Sequence, residues 1–80
     1  MNEVSLNTLN PGERGTVERI NRAAGKVRQR LLEMGLINGT TVEIVKFAPM
    51  GDPIEVRVRG YRLSLRRLEA EAVIVKKELT

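Results

Sequence analysis

Eighty residues, 41% of them hydrophobic, make one small domain over residues 1–80 with a single modest core, because so short a chain buries only roughly 60–65% of its extended surface. The absence of cysteine and histidine excludes a disulfide framework, a zinc finger, a thiol nucleophile and a histidine base. A net charge of +4 and a pI near 10.1, with ten arginines among fourteen basic residues, suit nucleic acid, an acidic membrane surface or an acidic protein partner. Acidic residues are interspersed throughout, so a merely solvated mixed surface is the competing reading.

In chain order, Val4, Leu6 and Leu9 form an apolar lead-in before the turn signal Asn10-Pro11-Gly12. No basic start or long apolar run marks this N-terminus as a signal peptide, and no stretch approaches a membrane span, so a cytoplasmic protein without membrane insertion is expected. Gly15 to Ile20 reads as a first strand, and Asn21 to Gly25 as a polar, small-residue loop. Val27, Leu31 and Met34 then recur at i, i+4 and i+7, one face of a helix. No Ser or Thr cap precedes Lys26, but Gly35 sits where a helix stop wants a left-handed residue, and Leu36 can fold back onto Leu31. Leu32 lies roughly 130° from the centre of the apolar stripe. It either widens the buried face or, flanked by Arg28, stands out as an apolar anchor for a partner.

Asn38-Gly39 is a turn signal, and Thr41 to Phe47 is a β-branched strand whose alternation changes phase, the mark of a bulge or sharp bend. Two prolines and a glycine make residues 48–53 a loop. Ile54, Val56 and Val58 alternate with charged residues, as do Leu63 and Leu65 with polar ones. A two-residue turn at Gly60-Tyr61 would pair 59 with 62, 57 with 64 and 55 with 66, putting every aliphatic on one face. In that register Arg57, Arg59 and Arg62 form a basic patch, either a docking face or a solvated surface offset by nearby glutamates. Residues 66–72 read as a turn of helix and Val73-Ile74-Val75 as a last strand. Five short strands with one inserted α-helix and no helical crossovers predict a mainly β fold, a small SH3-like β-barrel with the helix as its lid.

Catalysis ranks well below binding. The only serines are Ser5 and Ser64, the glutamates alternate with arginines as surface charges do, and the glycines mark turns rather than a phosphate loop. Glu33, Glu43, Asp52 or Glu55 could hold a divalent cation through oxygen, but imidazole and thiolate ligands are absent, and Met34 belongs to the apolar stripe. No metal site is assigned, and no cofactor is expected.

The order Leu9, Gly12, Gly15, Val17, Ile20, then RLLEMGLINGTTVEI (30–44), DPIEVRV (52–58) and GYRLSLRRLEAEAVIV (60–75) resembles the FeoA family of bacterial ferrous iron uptake. The resemblance runs from about Leu6 to Val75. It implies an SH3-like barrel and a non-enzymatic accessory role on the membrane ferrous iron transporter, whose cytosolic part carries a GTP-binding domain. Transition metal ion binding is a further capacity it implies. A similar domain ends the metal-dependent repressors related to the diphtheria toxin repressor. With no room for a helix-turn-helix ahead of the barrel, this chain resembles the free-standing form. Arg28, Leu32, Arg57, Arg59 and Arg62 are the candidate partner-binding residues. The alternative reading is a small basic barrel that binds nucleic acid, for which interleaved aromatics would be needed. One phenylalanine and one tyrosine argue against it.

Overall fold

The structure, a computed structural model, describes residues 3–21 and 25–78. Its strands are β1 (Glu3–Ser5), β2 (Arg14–Ile20), β3 (Thr41–Phe47), β4 (Ile54–Val58), β5 (Tyr61–Leu65) and β6 (Val73–Lys77). A single 3-10 turn, Leu6–Thr8, follows β1; helix α1 (Lys26–Glu33) joins β2 to β3, and α2 (Arg67–Ala72) joins β5 to β6. The ladder runs β1-β6-β2-β3-β4-β5, antiparallel throughout. This is a mainly β, SH3-like fold in which β1 and β5 end the sheet without pairing to each other. Six strands replace the expected five. Three residues of β1 are too few to show alternation, and they are fixed by pairing Val4 with Val75 across the chain.

The core is aliphatic. Val17, Val42, Ile44, Ile54, Val56, Val58, Leu65, Val73 and Val75 point inward from the strands, and Leu6, Leu9, Leu31, Leu36 and Ala70 close the cluster. Each fully buried Val, Leu or Ile contributes about 1.5–3 kcal/mol of transfer free energy. Where β2 runs beside β6, a Cβ on Gly15 would stand 2.7 Å from Val75 Cγ2. That position admits only glycine.

Two irregularities bend the sheet. In β3 the register shifts between Ile44 and Lys46, so Val45 is the extra residue and Phe47 regains the inner face opposite Ile54. The expected phase change is this bulge. In β2 a second shift lies between Val17 and Arg19. It lets Val17 and Ile20, three residues apart, both face the core.

The β4–β5 hairpin is displaced from expectation. The turn residues are Arg59 and Gly60, both at positive φ (52° and 85°), and Arg57 lies opposite Arg62, Glu55 opposite Ser64 and Ile54 opposite Leu65. The proposed pairs 59 with 62, 57 with 64 and 55 with 66 do not form. Moving the turn by one residue changes each partner by two, which keeps every aliphatic on its face, so periodicity alone cannot choose between the registers. The observed register places Tyr61 in β5, where its hydroxyl donates to the Met34 carbonyl at 3.0 Å. It also gives the turn the two left-handed residues that match strand twist.

Candidate docking surface

Helix α1 starts weakly and stops sharply. Its N-cap, Gly25, supplies no side-chain bond, and the expected loop of residues 21–25 falls largely outside the described residues. At the other end Gly35 takes φ 96°, its N–H donates to the Leu32 carbonyl at 3.0 Å, and the Leu36 N–H donates to the Leu31 carbonyl at 3.1 Å. These are the two bonds of a Schellman stop. Leu31 and Leu36 are fully buried, and Val27 and Met34 pack against the same core. The stripe predicted for the helix is therefore its inner face. A second tie holds the helix to the fold: Arg30 donates to Glu69 Oε2 at 2.6 Å, and Glu69 Oε1 accepts the backbone N–H of Arg66 at 2.8 Å. Glu69 is 4% exposed, an ionisable residue deep in the protein that charge alternation alone did not single out.

Leu32 is placed on the flank of the helix at 36% exposure, neither core nor free. With Arg28 it forms one wall of a hollow of about 290 Å3 between α1 and β2. Val17, Ile20 and Leu36 supply its apolar floor, and Glu18, Arg19 and Asn38 its polar rim. The β2 bulge shapes this rim. It takes Glu18 out of the ladder, and the Glu18 carbonyl instead accepts from Asn38 Nδ2 at 2.7 Å. Ile37, beside Asn38 in the chain, is exposed. Asn38 also lines a second hollow with Thr40, Thr41 and Arg59.

The structure thus brings Arg28 and Leu32 to one hollow and Arg59 to its neighbour, joined through Asn38. Arg59 reaches Thr40 Oγ1 at 3.4 Å. Arg57 and Arg62 line neither. Arg57 donates to Glu43 at 3.3 Å and Arg62 to Glu55 at 3.0 Å, with Lys46 also 3.9 Å from Glu55. Sequence reasoning missed Asn38 as the joint between the hollows, having read it only as a turn residue.

Among the described residues no group of three or more acidic side chains is placed to hold a metal ion. Glu43 and Glu55, two of the candidate oxygen ligands, are engaged by arginines. No helix among those residues is long and apolar enough to cross a membrane.

A family model described as FeoA domain matches residues 4–77. The chain belongs to the FeoA family. It is 37% identical over 71 residues to an Fe(2+) transport protein A/Fe(2+) transporter FeoB fusion protein of Porphyromonas gingivalis, a match that covers 89% of this chain and 8% of that protein. The chain therefore spans only a small part of that relative's length. The NMR structure of an FeoA-like protein from Clostridium acetobutylicum superposes with a TM-score of 0.91 at 39% identity, covering 100% of this chain and 92% of the other. Stenotrophomonas maltophilia FeoA, crystallised with zinc and described as a prokaryotic SH3 domain protein, gives 0.78 at 32% identity over 91% and 93% of the two chains. The FeoA family is thereby associated with ferrous iron transport, and the SH3-like architecture of its members is the one seen here.

Proposed function

We propose that this FeoA-family chain is a non-enzymatic accessory module of ferrous iron uptake that works in the cytoplasm, docking on the cytosolic part of the membrane ferrous iron transporter. The observation that carries this reading is the Porphyromonas gingivalis relative, in which a segment 37% identical to this chain belongs to a fusion protein with FeoB. Two functions joined in one polypeptide act at high effective concentration, an arrangement that suits modules which must touch. The docking face is the α1 flank. Leu32 and Ile37 expose apolar surface there beside Arg28, which makes no ion pair among the described residues. A buried apolar anchor rimmed by polar groups is the usual anatomy of a small interface.

Nucleic acid is a weaker partner, since Arg57 and Arg62 are already paired to glutamates and the Tyr61 hydroxyl is tied to Met34. Co-elution of the purified chain with the GTP-binding domain of its own organism's ferrous iron transporter, run beside single-stranded DNA and RNA, tests the reading. A shifted peak with the transporter domain alone is expected. Association with nucleic acid alone would overturn it.

A further inference from the structure

On another side of the molecule, a hollow of about 200 Å3 is lined by Asn7, Phe47, Gly51, Ile54 and Arg67. Two observations converge on it. Phe47 and Ile54, paired across β3 and β4, give the hollow an aromatic and aliphatic lining. Met50 and Leu68, at 91% and 77%, are the most exposed large hydrophobic side chains described, and each is the chain neighbour of a lining residue. The hollow's two sides are fixed to each other, because the Arg67 N–H donates to Asp52 Oδ1 at 2.9 Å.

We infer that this hollow is a second docking site, which takes an apolar side chain from an acidic peptide segment of a protein partner. Its size favours a single side chain, since small-molecule sites usually run to about 300–1,000 Å3. Charge selects the flanking residues: the guanidinium groups of Arg66 and Arg67 make no ion pair among the described residues, and Asp52, the nearby acid, is engaged by the Arg67 backbone. A carboxylate beside the apolar side chain would meet Arg67 as a charge-assisted pair. The inference stands apart from the proposal for α1, whose hollow shares no residue with this one.

The test is an NMR titration of the full, 15N-labelled chain with the probe peptide acetyl-Glu-Leu-Glu-amide. Saturable shifts confined to Asn7, Phe47, Gly51, Ile54 and Arg67 are expected, with at least tenfold weaker binding of acetyl-Lys-Leu-Lys-amide. The exposed-site variant Arg67→Glu should weaken binding of the acidic peptide by tenfold or more while its remaining spectrum stays that of the folded parent. Three results would overturn the inference: no saturation up to millimolar peptide, equal response to the two peptides, or shifts confined to the α1 hollow. The last would leave the α1 proposal standing.

Discussion

Leu31 and Leu32 are neighbours with opposite fates, and the difference is measurable. Leu31 is fully buried, so Leu31→Ala should cost about 2–5 kcal/mol, the transfer and cavity terms together. Leu32 keeps a third of its surface in water, so Leu32→Ala should cost only about 1 kcal/mol. Urea unfolding of the two variants checks the pair, and a Leu32→Ala loss as large as that of Leu31→Ala would make Leu32 a core residue. Glu13 offers a second test at this scale. The Asn10 N–H donates to its carboxylate at 2.7 Å and Lys77 lies 3.0 Å from its other oxygen, which together hold it below its ordinary value of 4.5. A carboxylate lowered by folding contributes stability above its unfolded pKa and loses that contribution as pH falls through the folded one. Glu13→Gln should therefore flatten part of the stability loss below about pH 4.5. Identical urea midpoints against pH in parent and variant would contradict it.

Between elements, the contact with most at stake is the one from α1 to α2. Glu69 is almost wholly buried while Arg30 remains largely in solvent, so the pair is half-screened and its worth lies in not leaving Glu69 alone. Arg30→Ala should cost about 1–3 kcal/mol, the penalty of a buried acceptor with a missing partner. Exchange of the α1 amide protons should quicken in that variant, and unchanged exchange would show that α1 is held by its apolar face alone. The elements themselves were largely legible. The stripe Val27, Leu31, Met34 and the stop at Gly35 mark α1, and the phase change in residues 41–47 marks the β3 bulge, because each signal is local. The β4–β5 register was not legible, since either turn preserves the facing of Val56 and Leu63; the Tyr61 bond to Met34, 27 residues away, belongs only to the observed one. The β2 bulge had a signal that went unused: Val17 and Ile20 are both apolar at an odd spacing within one strand. For the candidate site, Arg28 and Leu32 could be placed on one helix flank from the sequence, but Asn38 joins the hollows only through the bulged Glu18 carbonyl, a tertiary feature.

At the scale of the molecule, an aliphatic core and a continuous six-strand ladder account for folding without a bound ion. Thermal unfolding with and without a chelator should coincide. A large drop in Tm on chelation would mean that metal binding is coupled to the fold. The central claim is that the molecule works by presenting the α1 flank to the ferrous iron transporter. Isothermal titration of the transporter's cytosolic GTP-binding domain with the parent chain, Leu32→Glu and the double variant Arg57→Glu/Arg59→Glu tests it most directly. The parent should bind saturably, Leu32→Glu should weaken binding at least tenfold with the fold intact, and the double variant should fall between them, because only Arg59 of its two positions borders the α1 surface. Undiminished binding by Leu32→Glu, or no heat of binding from the parent chain, would contradict the account.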